Sequence, residues 1–229
     1  MKVTEIFKAI QGEGIQTGKP TIFIRFSGCN LSCIWCDTSY HTAGKEMTIP
    51  EIVEEVGAFK INHATFTGGE PLVQNNVELA KLIRWLHELG IKVAIESNSI
   101  IYEDSIYFMA DFISLSPKLV SSNTKTSYEA GLKSYISNDD FYLKGQLKFV
   151  VLDKEDIAEV KTILEKINPD LKVPIVFQPC TTLKETPESY KLKAAKLGEY
   201  LLEQEWLREK TWRFLLQQHV IIYGNRRGV

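Results

Sequence analysis

The chain has 229 residues, 44% of them hydrophobic and 24% charged, and its 27 Lys and Arg nearly balance its 29 Asp and Glu. This length suits a single domain spanning 1–229, and the composition excludes a mainly disordered chain. The net charge of −2 excludes the strong positive field of a dedicated nucleic-acid binder. No run approaches the roughly 18 apolar residues of a membrane helix, and no apolar leader opens the sequence. We therefore expect a cytoplasmic protein with neither nucleic acid nor membrane as a partner.

Apolar, β-branched runs of strand length alternate with amphipathic segments along the chain. Strands are predicted at 21–26, 64–67, 92–96, 112–116, 146–151, 174–178 and 219–223. Helices are predicted at 50–59, 77–89, 156–167 and 187–218, the last broken near Trp206. This alternation predicts an α/β fold with mostly parallel strands. Since a full eightfold barrel takes about 250 residues, we expect a partial, open βα barrel. The polar segment 121–140 is expected to form a mobile excursion.

The unusual residues of this sequence follow the ends of predicted strands. They form a cysteine-rich loop, a Gly-Gly-Glu-Pro turn and three further polar turns, at 27–36, 67–71, 96–99, 116–118 and 178–180. Because the carboxyl ends of parallel strands meet at one edge of a sheet, we expect these turns to converge on one site.

Three of the four cysteines, Cys29, Cys33 and Cys36, lie within eight positions, with the spacing C-x3-C-x2-C. Three thiolates in one loop can hold a four-iron cluster and leave one iron without a protein ligand. A structural zinc ion usually takes four protein ligands, for which Cys180 or His41 would have to join. A zinc-stabilised binding module therefore stays open as the alternative to an iron–sulfur enzyme.

With Trp35 directly before the last cysteine, the motif resembles that of the radical S-adenosylmethionine (SAM) superfamily. The resemblance implies a [4Fe–4S] cluster held by the three cysteines, with SAM at the open iron as the source of a 5′-deoxyadenosyl radical. The polar turns resemble the superfamily's contacts to SAM, although Ser99 stands where glycine is usual. The residues implied as SAM contacts are Gly68, Gly69, Glu70, Glu96, Asn98, Ser116, Lys118, Gln178 and Thr181. An ordinary structural role for each of these turns stays open.

Within the superfamily, the chain resembles the 7-carboxy-7-deazaguanine synthases nearly from end to end. The resemblance rests on Gln11-Gly12-Glu13-Gly14, Arg25, Cys36-Asp37-Thr38, Ser116-Pro117-Lys118 and the closing segment 223–229. It implies a carbon–nitrogen lyase of queuosine and deazapurine biosynthesis. Its substrate would be 6-carboxy-5,6,7,8-tetrahydropterin and its product 7-carboxy-7-deazaguanine, formed by ring contraction with loss of ammonia. It also implies a homodimer and an electron donor such as flavodoxin or ferredoxin.

Several polar residues suit that substrate. An arginine fork matches a carboxylate bidentately, so Arg25 is expected to bind the substrate carboxylate. Glu13 and Gln11 can address the donor-rich edge of a pterin ring. The resemblance adds Gly12, Thr67 and Val229 as substrate contacts and Thr38 as a ligand of Mg²⁺, although Thr38 could equally cap a helix.

Two questions stay open at the level of sequence. An activase that installs a glycyl radical on a partner protein would use the same cluster chemistry. No general base can be chosen among Glu13, Glu70, Glu96 and His63, because spacing along the chain does not reveal which of them face a substrate.

Overall fold

The computed structural model describes residues 1–38, 42–124, 127–168, 171–181 and 185–224. Within these ranges the strands are β1 (Lys2–Ile10), β2 (Pro20–Phe26), β3 (Lys45–Glu46), β4 (His63–Gly68), β5 (Lys92–Ser97), β6 (Phe112–Leu115), β7 (Gly145–Val151), β8 (Ile175–Pro179) and β9 (Trp212–Phe214). The α-helices are α1 (Ile49–Ala58), α2 (Asn76–Glu88), α3 (Asp104–Met109), α4 (Glu129–Ile136), α5 (Phe141–Lys144), α6 (Lys154–Ile167), α7 (Pro187–Leu202) and α8 (Gln218–Tyr223). None of these helices is long and apolar enough to cross a membrane.

All the described strands belong to one open sheet, in the order β3-β1-β2-β4-β5-β6-β7-β8-β9. β2 and β4 to β9 run parallel, while β1 is antiparallel to both β2 and β3. The two end strands, β3 and β9, do not pair with each other, so the sheet does not close into a full barrel. The prediction of an open α/β fold with mostly parallel strands is confirmed.

The register of the parallel strands separates a core face from a site face. Ile24, Phe66, Ile95 and Ile113 are paired in one row across β2, β4, β5 and β6, and all four are buried. Side chains alternate between the two faces of a strand, so the next position on each strand points the other way. The next row is polar and consists of Arg25, Thr67, Glu96, Ser114 and Gln146.

Local sequence explains where the helices start. Thr48 and Glu51 form a reciprocal capping box at the start of α1, and the side chain of Asn75 accepts from the backbone N–H groups of Val77 and Glu78 at the start of α2. α2 then buries Leu79, Leu82, Ile83 and Leu86, the spacing of one helix face. These helices cover the apolar face of the sheet.

Two predictions of secondary structure near the C-terminal end are wrong, and one long strand near the N-terminal end was missed. Residues 219–223 form helix α8 and not a strand, residues 212–214 form β9 inside the segment predicted as helix, and β1 was not predicted. β9 occupies the position beside β8, where Trp212 packs edge-on against Phe177 with ring centroids 6.1 Å apart. The β-branched run after it is instead held against the loop before β2, where the N–H of Gln218 donates to the carbonyl of Gly12 over 2.9 Å, so tertiary contacts override its strand propensity.

The segment 121–140, predicted as a mobile excursion, includes a packed helix. It contains α4, which buries Leu132 and Tyr135 in the core, although residues 125–126 lie outside the described ranges. A Cβ at Gly131 would lie 2.3 Å from the carbonyl oxygen of Ser99, so the helix packs directly on the turn that follows β5. This contact makes α4 a support for that turn.

Candidate active site

The cysteine loop leaves the carboxyl end of β2. The backbone N–H of Ile34 donates to the carbonyl of Ser122 over 3.1 Å, which ties the loop to the segment after β6. Cys29, Cys33 and Cys36 are half-buried, unpaired thiols, and burial raises the pKa of each. The charge of Lys118 opposes this rise in the pKa of Cys29 and Cys33, and bound iron would favour all three thiolates further.

The Gly-Gly-Glu-Pro turn packs against the backbone of this loop. A Cβ at Gly69 would lie 1.8 Å from the carbonyl oxygen of Gly28, and the N–H of Glu70 donates to that oxygen over 2.8 Å. Gly68 has a φ of +120°, in the region that favours glycine. Both glycines are thus required for a close approach between two turns of the protein, before any ligand is considered.

Glu70 is fully buried and already bound to backbone. Its carboxylate accepts from the N–H of Leu72 over 3.1 Å and from the N–H of Asn98 over 2.7 Å. Burial raises its pKa, and these two hydrogen bonds oppose the rise. Asn98 in turn donates from its side chain to Asn30 in the cysteine loop over 2.6 Å. Ser99, at the position where glycine is usual, adopts a φ of +68°.

Gln178 of β8 and Trp35 of the cysteine loop each have buried polar atoms without a hydrogen-bond partner in the described part of the chain. Both amide atoms of Gln178 and the indole nitrogen of Trp35 are buried with no hydrogen-bond partner among the described residues. Because buried polar atoms are almost always paired, these atoms fit contact with a bound cofactor. Lys118 lies 5.6 Å from the centroid of the Trp35 ring and donates to Ser116 over 2.9 Å. These contacts place Lys118, and Ser116 bonded to it, beside the cysteine loop.

The loop before β2 forms a second, strongly charged part of the site. The carboxylate of Glu13 forms an ion pair with Lys148 of β7 and accepts from the side chain of Gln217 over 2.8 Å. His219 lies 4.0 Å from the same carboxylate, and a Cβ at Gly12 would meet its ring. Burial raises the pKa of Glu13, but the charges of Lys148 and then His219 outweigh burial and hold this pKa well below its usual range.

Gln11, Glu96 and Thr67 form a hydrogen-bonded group beside Glu13. The amide of Gln11 donates to Glu96 over 2.9 Å, and the hydroxyl of Thr67 donates to the other oxygen of Glu96 over 3.2 Å. The amide oxygen of Gln11 accepts from the N–H of Glu13 over 3.1 Å. Residues predicted separately as substrate and SAM contacts are therefore one connected group.

Arg25 and Thr38 are also brought together. Arg25 donates to Glu5 over 2.7 Å and to the hydroxyl of Thr38 over 3.0 Å, and Thr38 donates to Asp37 over 3.0 Å. A hydroxyl oxygen has two lone pairs, so Thr38 can accept from Arg25 and still bind a cation. Thr38 is buried and does not cap any of the described helices.

Metal-binding geometry separates the two interpretations of the cysteines. Tetrahedral zinc with Zn–S bonds of about 2.3 Å needs sulfur atoms about 3.8 Å apart. Of the described residues, the group that brings three potential ligand atoms within 4.8 Å of one another is Glu13, Asp37 and His219, and not the three cysteines. The wider spread of the sulfur atoms suits a multi-iron cluster better than one zinc ion.

His63 lies far from these groups. It is the first residue of β4, roughly 16 Å along the strand from Gly68 at the site edge, and it is buried against the hydroxyl of Thr21 at 3.1 Å. It therefore cannot be the general base. The glutamates all remain near the site. Thr181 donates to Gln217 over 2.7 Å, while Val229, with the rest of the 225–229 tail, and His41 lie outside the described residues.

Sequence reasoning missed Lys148, Gln217 and Gln146, all buried polar residues of the site. Gln146 donates to Ser114 over 2.7 Å and accepts from the N–H of Ile15 over 2.8 Å. Gln146 and Lys148 alternate within an otherwise apolar strand run, a pattern that could have identified β7 as a strand facing the site.

Known proteins match this chain in sequence and in fold. A family model described as the radical SAM superfamily matches residues 23–136. The 7-carboxy-7-deazaguanine synthase of Bacillus cereus is 32% identical to this chain, in an alignment that covers 99% of this chain and 98% of the synthase. The chain belongs to the 7-carboxy-7-deazaguanine synthase family. The synthase of Pyrobaculum aerophilum is 30% identical to this chain, in an alignment that covers 100% of this chain and 97% of the synthase.

Solved structures show the same fold. QueE from Escherichia coli superposes with a TM-score of 0.66 at 23% identity. The superposition covers 95% of this chain and 94% of the QueE chain. TYW1, solved with a lysine-pyruvate adduct bound, superposes with a TM-score of 0.57 at 18% identity. The superposition covers 80% of this chain and 73% of the TYW1 chain. Membership of the 7-carboxy-7-deazaguanine synthase family, and with it of the radical SAM superfamily, implies a [4Fe–4S] cluster and SAM as cofactors. It also decides against the activase and zinc-module alternatives.

Proposed function

We propose that this chain converts 6-carboxy-5,6,7,8-tetrahydropterin to 7-carboxy-7-deazaguanine with loss of ammonia, in queuosine or deazapurine biosynthesis. The observation that carries the proposal is the extent of the family relationship. The superfamily model ends at residue 136, but the relatives match over nearly the whole chain. The matched length extends over the segments that carry Glu13, Lys148 and Gln217, which are bonded to one another in the fold.

The proposed cofactor site lies at the carboxyl ends of β2, β4, β5, β6 and β8. Cys29, Cys33 and Cys36 would hold the cluster. The proposed SAM contacts are Gly68, Gly69, Glu70, Glu96, Asn98, Ser116, Lys118, Gln178 and Thr181. The unpaired amide of buried Gln178 supports this assignment. When bound, the cluster and SAM supply the radical that removes a hydrogen atom from C6 of the substrate.

The proposed substrate contacts bind the substrate and orient it toward the cofactor site. Glu13 presents a carboxylate, fixed from two sides, to the amino and ring N–H groups of a pterin, and Gln11 holds the backbone of Glu13 in place. Arg25 would bind the substrate carboxylate with its guanidinium fork, with Gly12, Thr67 and Val229 as further contacts. Buried, pre-positioned charges of this kind orient a substrate without reorganisation when it binds.

We further propose that Thr38 binds Mg²⁺, which also contacts oxygens of the substrate. The neighbouring carboxylate of Asp37 supports this site, because Mg²⁺ prefers oxygen ligands and keeps several waters. Thr38→Val removes the hydroxyl at nearly constant volume and is expected to abolish the stimulation of turnover by Mg²⁺, whereas Thr38→Ser is expected to retain it. Equal stimulation of both variants, measured across a Mg²⁺ titration, would contradict the assignment.

Turnover under anaerobic conditions tests the function. Reconstituted protein is supplied with reductant, SAM, Mg²⁺ and carboxytetrahydropterin, and 7-carboxy-7-deazaguanine is measured by mass spectrometry. We expect product from the wild type and none from Cys33→Ala, the control without a cluster. A wild type that carries the cluster and forms 5′-deoxyadenosine but no product would refute the proposed substrate.

We propose two partners for the working enzyme: a second copy of the chain and a low-potential electron donor such as flavodoxin or ferredoxin. Sedimentation of the reconstituted protein tests the homodimer. A cytoplasmic location is part of the same proposal, because a cluster with an open iron site needs a reducing compartment.

A further inference from the structure

Lys148 is a buried cation that the chemistry described above does not use. It lies in the middle of β7, with a side chain only 7% exposed, between Leu147 and Phe149, which are fully buried. Lysine is almost never buried without a partner. Its ammonium group contacts the carboxylate of Glu13, across 135 residues of sequence.

The charges around Lys148 keep it protonated. Burial lowers its pKa, but attraction to Glu13, followed by Glu96, outweighs burial and raises the pKa above its usual value. Asp37 adds to the same effect. The ion pair with Glu13 therefore favours the protonated form of this lysine.

The carboxylate of Glu13 is held at both oxygens. Lys148 donates to Oε2 from the sheet, and Gln217 donates to Oε1 over 2.8 Å from the segment before α8. The adjoining residues are anchored by Gln146, which accepts from Ile15 N–H. A carboxylate has about four lone-pair positions, so after these two contacts each oxygen can still accept one more hydrogen bond.

We propose that Lys148 is a positioning residue for the substrate. It fixes the Glu13 carboxylate so that both oxygens accept from the two adjacent N–H groups of the pterin's amino-pyrimidinone edge. This inference rests on the proposed function. Without Lys148, Glu13 would be a buried carboxylate without its hydrogen-bonded counter-ion and with only His219, 4.0 Å away, on the same side, and such a group tends to take up a proton or turn away. Either change removes one of the two acceptors.

A double-mutant cycle tests this role. The variants are Lys148→Met, Lys148→Arg, Glu13→Gln and the combination of Lys148→Met with Glu13→Gln, and Lys161→Met on the outer face of α6 is the matched control. Steady-state turnover gives kcat and KM for carboxytetrahydropterin, while iron content and thermal unfolding report on the cluster and the fold.

We expect Lys148→Met to raise KM by about 10- to 100-fold, as for loss of a charge-assisted hydrogen bond, with kcat changed by less than about 3-fold. Lys148→Arg keeps the charge and is expected to stay within about 5-fold of the wild type. In the Glu13→Gln background, Lys148→Met is expected to add less than about 3-fold, because both changes disable the same acceptor.

Other outcomes overturn the inference. An unchanged KM in Lys148→Met refutes it, and a full effect of Lys148→Met in the Glu13→Gln background assigns Lys148 a direct contact instead. If Lys148→Met loses its fold or cluster, Lys148→Gln takes its place, and failure of both variants means a purely structural role. A wild type without product refutes the proposed function itself, an outcome distinct from an active wild type whose KM does not depend on Lys148.

Discussion

The surroundings of a single thiol separate Cys180 from the other cysteines. Cys180 follows β8, is 1% exposed, and its sulfur contacts the carbonyl of Thr181 at 3.5 Å. Burial raises its pKa to about 12, so the group stays a protonated thiol at neutral pH. A protonated, buried thiol is a poor metal ligand.

We therefore expect Cys180→Ala to retain the full iron and sulfide content of the wild type. Cys29→Ala, Cys33→Ala and Cys36→Ala are each expected to lose the cluster, because three thiolates are its minimum protein ligation. Chemical quantitation of iron and sulfide in the four anaerobically purified variants checks this, and loss of iron from Cys180→Ala would contradict it.

The titration of His63 makes the stability of the fold depend on pH. Burial lowers its pKa to about 4, with a further contribution from the charge of Lys19. The folded protein therefore holds the neutral ring, whereas the unfolded chain takes up a proton near pH 6.5. The stability that this group confers is complete above about pH 6.5 and is lost as pH falls toward about 4.

For His63 we expect the free energy of unfolding to fall by about 2 kcal/mol more between pH 7 and pH 5 in the wild type than in His63→Gln. The glutamine side chain cannot titrate, so any pH dependence left in the variant comes from other groups. Urea titrations of both proteins at the two pH values give the comparison. Parallel pH dependences would mean that His63 titrates normally in the fold.

At the scale of elements, the site depends on how closely two turns can approach. The turn after β4 lies against the cysteine loop after β2 because Gly69 has no Cβ to meet the carbonyl of Gly28. That contact also directs Glu70 toward the N–H of Asn98 after β5. One glycine thereby aligns the ends of three neighbouring strands.

We expect Gly69→Ala to separate these turns, because a methyl group 1.8 Å from a backbone oxygen cannot be accommodated without movement of the main chain. The variant should lose most of its cluster and about 2 kcal/mol or more of stability. Gly57→Ala is the control, since it lies in α1 with nothing within 4 Å of the added methyl group and is expected to stabilise the helix by about 1 kcal/mol. Iron content and thermal unfolding of both variants test the difference, and a Gly69→Ala protein with full cluster content would refute this account.

At the scale of the whole molecule, the two ends of the chain complete one site. Glu13 and Gln217 are 204 residues apart in sequence and bonded in the fold, and the N–H of Gln218 donates to the carbonyl of Gly12 over 2.9 Å. The cysteine loop and most of the turns around it lie between these two segments in the sequence. The Gln11–Glu96 hydrogen bond joins the part of the site that the two segments form to the turns beside the cysteine loop.

A chain that ends at Leu216 keeps every described strand and removes Gln217 and His219. We expect it to retain the cluster and slow formation of 5′-deoxyadenosine, while formation of 7-carboxy-7-deazaguanine falls by about 100-fold, as for loss of one hydrogen bond and one neighbouring imidazole from the carboxylate of Glu13. A chain that ends at Gly224 measures separately what residues 225–229 contribute. Equal loss of 5′-deoxyadenosine and of product in the Leu216 chain would show that the segment supports the whole site.

The sequence by itself predicted the cysteine loop as the metal-binding element and most of the fold. The spacing of Cys29, Cys33 and Cys36 is local, and a local motif keeps its meaning wherever the loop lies. The alternation of strands and helices is equally local, which is why six of the seven predicted strands are found. These signals come from neighbouring residues and need no knowledge of distant contacts.

Only the tertiary structure decided which distant side chains meet. It holds the start of helix α8 against the carbonyl of Gly12, and it removed His63 from the site because that residue begins β4 where Gly68 ends it. It also paired Lys148 with Glu13, which no spacing along the chain could show. The physical reason is that burial and electrostatic pairing depend on separation in space, and contacts across 135 or 204 residues leave no periodic trace in the sequence.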